Sequence, residues 1–156
     1  MRKTWRMRIY LPATLRDLSA PDGVGARRAH ALTDALRSAL DDEDSEAGEL
    51  AALLVAADAS VRLIGSEGAP PRRLVIAADV AEGVVAATDG PPSAVEAPDV
   101  PWSAVVSFHV DDADDPEVAD AVAGAAAGDP EAFELAAELD LLWYDVSERE
   151  DLRGQG

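Results

Sequence analysis

One stretch constrains the architecture more than any other: Val105-Val106-Ser107-Phe108-His109-Val110-Asp111-Asp112. Side chains on a strand alternate between faces. Val106, Phe108 and Val110 make one face wholly apolar, while Val105, Ser107, His109 and Asp111 grow more polar along the other. A strand buried on both sides reads apolar throughout. This pattern predicts a central strand, covered by helices on one face and partly open on the other. Asp111, Asp112, Asp114 and Asp115 mark its exit into a loop and a helix start.

The flanking segments can be read in the same way. Arg6 to Leu11 alternates as a first strand, stopped by Pro12. Thr14 and Asp17 have the spacing of a capping box for a short helix, and Pro21-Asp22-Gly23 turns the chain. Val24 to Leu32 reads equally as a helix start or an irregular crossing. Thr33 is placed to cap a helix from Asp34 to Leu40, and the acidic run Asp41 to Glu46 carries the next cap. Leu50, Leu53, Leu54, Ala57, Val61 and Ile64 then recur at helical spacing, ending at Gly65 and Gly68. Arg73 to Asp79 reads as a second strand.

A segment rich in Gly, Pro and Asp, Ala81 to Ser103, is too long for a bare loop and predicts a short edge strand at Ala94 to Ala97. After the organising strand, Asp115-Pro116-Glu117 and Asp129-Pro130-Glu131 are two helix starts of one design: a cap, a proline in the first turn, and an acid at the positive end of the dipole. Leu141 to Asp145 is the last strand, followed by Ser147 and Glu150 as a further capping box.

The order strand, helices, strand, strand, helices, strand predicts an α+β fold. It fits a ferredoxin-like βαββαβ sandwich of four to five mostly antiparallel strands with helices on one face. In that layout the first and third strands lie side by side at the centre. Residues 1–6 are expected as an N-terminal extension, 7–152 as one domain, and 153–156 as a disordered tail.

Charge excludes several functions. Thirteen basic residues face 31 acidic ones, a formal charge of −18. Such a chain repels phosphate backbones and anionic lipid surfaces, so neither a nucleic-acid nor a membrane partner is expected. A basic protein partner, bound cations, or simply a solvated surface would each account for the acidity. There is no cysteine, which removes disulfides, thiolate catalysis and zinc–thiolate sites. No apolar run spans a bilayer and no signal core follows the basic N-terminus. A soluble cytoplasmic protein is expected.

Four landmarks carry a resemblance: Met7-Arg8-Ile9-Tyr10-Leu11-Pro12-Ala13-Thr14-Leu15; Pro70-Pro71-Arg72-Arg73 running into Ala77-Ala78-Asp79-Val80; His109-Val110-Asp111-Asp112; and Leu141-Leu142-Trp143-Tyr144. Together they resemble an uncharacterised family, a domain of unknown function in small acidic proteins of high-GC Gram-positive bacteria. The resemblance implies a domain starting at Met7 and supplies no activity or catalytic residue.

Two candidate sites follow from the residues. Arg8, Tyr10, Val75, Ser107, His109, Trp143 and Tyr144 would line the open sheet face as an interaction surface, for a protein partner or a second copy. Alternatively, the segment 81–103 folds across that face. The second candidate is His109, Asp111 and Asp112, an imidazole with carboxylates that could hold a divalent metal in a small hydrolase. Beside Arg72 and Arg73 the same acids would instead form an ion-pair network. No phosphate loop or nucleophile elbow is present, so no cofactor is expected. His30 is expected at the surface.

Overall fold

The computed structural model describes residues 5–40 and 44–155. Residues 1–4 of the expected extension, 41–43 of the acidic run and 156 of the tail lie outside the described residues.

The chain opens with β1 (Arg6–Ala13), a 3₁₀ turn (Leu15–Ser19), β2 (Gly23–Val24) and β3 (Arg27–Ala31). Two helices follow, α1 (Asp34–Leu40) and the 23-residue α2 (Ser45–Glu67). Next come β4 (Leu74–Ala81), β5 (Ala86–Ala87), β6 (Ala94–Ala97), β7 (Val100–Pro101) and β8 (Val105–Val110). The chain closes with α3 (Pro116–Ala126), α4 (Pro130–Glu138), β9 (Leu142–Asp145) and α5 (Arg149–Gly154).

Seven strands form one sheet in the order β5-β6-β3-β1-β4-β8-β9, and every pairing is antiparallel; β2 and β7 form a separate ribbon. This overturns the ferredoxin-like expectation. β4 lies between β1 and β8, so the first strand and the organising strand are not neighbours. β8 is sixth of seven, one place from the margin. The ambiguous stretch after Gly23 supplies the reason. It contains β3, which occupies one flank of β1 (Ile9 opposite Ala31, Tyr10 opposite His30) while β4 occupies the other. α2 carries the chain over β1 from β3 to β4, a split βαβ unit with β1 between its parallel strands.

Both sheet faces are covered, contrary to the expectation of one open face. On one side α2 lies on Tyr10, Val75 and Ala77 through Ala52, Ala56 and Ala57, with Leu36 of α1 alongside. The other side carries the main core of Ile9, Leu11, Leu74, Ile76, Phe108 and Val110. Burying a large apolar side chain there contributes about 1.5–3 kcal/mol. Its cover is largely not α-helical: Leu15 and Leu18 of the 3₁₀ turn, Val24 and Val100 of the ribbon, and Leu152 of α5. Trp102 closes this cover, donating from Nε1 to the Ala20 carbonyl at 2.8 Å beneath the Arg149 guanidinium. The end of the long segment after Ala81 therefore does fold across the sheet, but over the Phe108 face rather than the His109 face.

The face assignment of the organising strand also needs correction. The β4–β8 register shifts between Ala77 and Ala78, leaving Val106 as an extra residue in a bulge. Beyond the bulge Val105 turns into the Phe108 core, and Val106 is only half-buried.

Local signals set the element ends. Asp44 caps α2 by accepting from the Glu46 amide, and Gly68, at φ 64°, ends it in the left-handed region. Gly65 lies inside α2, where a Cβ would stand 2.6 Å from the Ala126 carbonyl oxygen, so the helix can touch α3 only because that atom is missing. The Thr14–Asp17 box forms as expected. The last box is Asp145 with Glu148 rather than Ser147 with Glu150. Pairing with β4 continues through Pro12, opposite Val75. Arg6 already belongs to β1, and Arg153 and Gly154 belong to α5, so neither expected domain boundary coincides with an element end.

Candidate functional site at the outer margin of the sheet

The α2-side face becomes polar toward the end of the sheet. β1 and β4 are in register with Arg8 opposite Asp79, and the guanidinium grips the carboxylate in two parallel bonds, Nε–Oδ1 at 2.7 Å and Nη2–Oδ2 at 3.0 Å. Those hydrogen bonds hold the Asp79 carboxyl below its ordinary range and raise Arg8. Two residues along, the Tyr10 hydroxyl donates to Glu49 of α2 at 2.6 Å. Burial and then this bond to a carboxylate push the phenol well above its usual value.

His109 sits next to this pair. Its ring meets Tyr10 edge-on, with centroids 6.3 Å apart. Burial, then the charge of Arg8, lower its pKa and favour the neutral imidazole. Directly across the β8–β9 ladder stands Trp143, 60% exposed on the outermost strand. Apolar surface continues from there. Leu141 packs with Leu53 on the Tyr10–Val75 core, and a groove of about 400 Å³ runs past Leu50, Leu54, Ala137 and Leu139. Leu50 is 53% and Leu54 45% exposed, so the leucines expected to anchor α2 largely face outward.

Of the expected interaction residues, the structure gathers Arg8, Tyr10, His109 and Trp143 at one corner. Val75 and Ser107 are sealed, and Tyr10 is buried too. Tyr144 pairs with Phe108 and packs on the opposite face. Glu49, Asp79, Leu50, Leu54 and Leu141 belong to this corner too. The Arg8–Asp79 pair has a sequence signal, opposite charges on two strands, but only a reader who places those strands side by side can use it.

The three expected metal ligands do three separate jobs. Asp111 accepts from the Arg73 amide (2.7 Å), Nη2 (2.7 Å) and Nε (3.1 Å). Both side chains of this pair are 2% exposed. Arg73 also donates to the carbonyls of Ala136 and Leu139, and Arg72 to the carbonyl of Asp111, so the pair clamps β4, β8 and the end of α4 together. Asp112 accepts from the Asp114 amide and shapes the turn into α3. His109 belongs to the Tyr10–Trp143 corner. Among the described residues no three carboxylate or imidazole groups converge as a metal would require.

The profile of a family of unknown function, DUF6912, matches residues 7–152. The chain belongs to that family. The DUF6912 match spans β1 to α5 and takes in both the Arg73–Asp111 clamp and the Trp143 corner. No curated protein matches the chain, and no solved structure does. Among the described residues no helix is long and apolar enough to cross a membrane.

Proposed function

We propose that this chain is a non-catalytic interaction domain and that its partner is a second copy, joined along β9. The observation that carries the reading is Trp143, largely exposed on a marginal strand beside exposed Leu142. Sheet margins are normally protected by lysine, proline, bulges or cover, because alternate N–H and C=O groups point outward. β9 reads Leu-Trp-Tyr-Asp, with one charge in four residues. That charge is Asp145 at the strand end, and Leu141, Leu142, Trp143 and Tyr144 before it carry none. Two such strands can pair antiparallel about a two-fold axis without setting acid directly against acid.

The polar groups of the corner favour binding over catalysis. Arg8 is held by Asp79 and Tyr10 by Glu49. Each is matched to a protein partner, which leaves His109 and Trp143 as the adaptable surface.

Sedimentation velocity tests the reading. Two copies at −18 repel at long range, so dimerisation should strengthen as salt rises from low to physiological concentration and the Debye length shrinks to about 8 Å. Trp143→Lys should yield a monomer with the circular-dichroism spectrum of the wild type and a melting temperature that, unlike the wild type's, does not rise with protein concentration. A wild-type chain that stays monomeric at high concentration and in every salt rejects the proposal.

A further inference from the structure

A second feature lies across the molecule, in the crevice between β3 and α2. His30 forms its floor. The residue is 3% exposed, and its Nδ1 lies 2.8 Å from Ser93 Oγ. Among the described residues Nε2 has no hydrogen-bond partner. It is not sealed either, since no fully buried side-chain nitrogen or oxygen lacks a partner there, and His30 lines the crevice. The walls carry Arg27, Arg28 and Arg62, three of the chain's thirteen basic residues, with apolar Ala59 and Leu63. The space is about 300 Å³.

The arginines differ in their freedom. Arg27 is tied to Asp17 and to the carbonyl of Pro12. Arg28 faces Glu96 only loosely, at 3.7 Å, beyond hydrogen-bond distance. Arg62 rests over the Phe133 ring, 5.7 Å from its centroid, with its donors unused by any carboxylate within ion-pair distance among the described residues. Gly90, at φ 124°, leaves the room that Arg28 occupies: a Cβ there would stand 2.8 Å from Nη1. The same loop delivers Ser93 to His30 and is fastened to β3 by the bond from the Ala31 amide to the Ser93 carbonyl.

We propose that this crevice binds a small organic phosphate, with the phosphate between Arg28, Arg62 and His30 Nε2 and the organic body against Ala59 and Leu63. Guanidinium forks match phosphate oxygens, and two of them here, on Arg28 and Arg62, line the crevice without a close carboxylate partner among the described residues. A neutral imidazole whose Nδ1 takes the Ser93 hydroxyl proton carries its own proton on Nε2, a third donor. His30 is held neutral: its pKa is lowered to about 4 by burial first and then by Arg28 and Arg62. Glu67 is the one carboxylate on the lining, and Tyr10 is the cross-strand neighbour of His30. The overall charge opposes a polyanion, so a single small phosphate is the ligand class that a local cluster can hold.

The two histidines make the test direct. Imidazole resonances of the intact chain would be followed while phenyl phosphate, inorganic phosphate or sodium chloride at matched ionic strength is added into the millimolar range. The expected result is a saturable shift of His30 but not His109, tighter for phenyl phosphate than for inorganic phosphate. Bound phosphate should also raise the His30 pKa. Arg28→Ala with Arg62→Ala, both at solvent-exposed positions, should weaken binding about tenfold or more, and the two lysine variants should fall between. The His109 resonances report that each variant is folded. A linear drift of both histidines that chloride reproduces would be general screening and would overturn the proposal. Saturation unchanged in the double alanine variant would overturn it equally.

Discussion

Asp111→Ala tests how the strand exit is held and separates a clamp from a metal site. In the wild type this carboxylate takes the Arg73 amide, Nε and Nη2, with both side chains almost fully buried. Alanine leaves a buried guanidinium with only the Ala136 and Leu139 carbonyls. Removing one member of a buried pair costs about 3–5 kcal/mol, chiefly because the surviving charge is stranded out of water. That is a large share of the roughly 5–15 kcal/mol holding a domain together. At about 2–4 °C per kcal/mol for a chain of this size, the melting temperature should fall by about 6–20 °C. Urea unfolding followed by circular dichroism gives the free energy directly. Asp111→Asn keeps an acceptor for Arg73 and should lose less. Arg73→Met combined with Asp111→Leu should recover most of the loss, since neither charge is then buried. An Asp111→Ala protein within about 1 kcal/mol of wild type would refute the clamp. So would a wild type that a chelator destabilises and a variant that it does not.

Three further outcomes follow from the same structure. His30 titrates at about 4 when folded, below its unfolded value near 6.5, so the unfolded chain takes up the proton first and stability falls as pH drops through that window. His30→Gln should flatten the wild-type slope between those pH values in urea titrations, leaving the smaller His109 contribution of the same sign; parallel curves would contradict this. Gly65→Ala adds about 1 kcal/mol of helix propensity but drives a methyl against the Ala126 carbonyl, so a net loss of about 1 kcal/mol in urea unfolding is expected, and a gain would show that α2 and α3 can separate freely. Tyr10→Phe removes the bond to Glu49 and should cost about 1 kcal/mol by the same measurement; no loss would mean that water serves the hydroxyl and Glu49 equally well.

The elements were legible where local chemistry decides them. The Asp-Pro-Glu starts, the Thr14 box, the short strand at Ala94 and the alternation from Arg73 all emerge from neighbours a few residues apart. Topology was not legible, because one strand carried no signal. Arg27-Arg28-Ala29-His30-Ala31 has no β-branched residue, and its inward Ala29 and Ala31 are too small to mark a face. Missing it placed β8 beside β1. For the same reason His30 was expected at the surface when it is buried. The bulge at Val106 flips a face without changing the sequence pattern, so Val105 was misassigned as well.

The orientation of α2 shows why helical periodicity alone misplaced the leucines. A stripe of leucines every three to four residues predicts that they face the sheet. Instead Ala52, Ala56, Ala57 and Ser60 do, while Leu50 and Leu54 look outward. The sheet surface beneath holds Tyr10, which fills the space a leucine would need. Ser60 explains the close approach: its hydroxyl donates to the Ala13 carbonyl at 2.7 Å and accepts from the Leu74 amide at 3.1 Å, pinning α2 across β1 and β4 at small-residue distance. A helix bonded that tightly through its small residues cannot also bury its large ones against the same sheet. Its leucines are displaced to the flank, where they border Leu141 and lead toward Trp143. The exposure of Leu50 and Leu54 is thus a geometric consequence of the close contact that α2 makes with the sheet through Ala52, Ala56, Ala57 and Ser60.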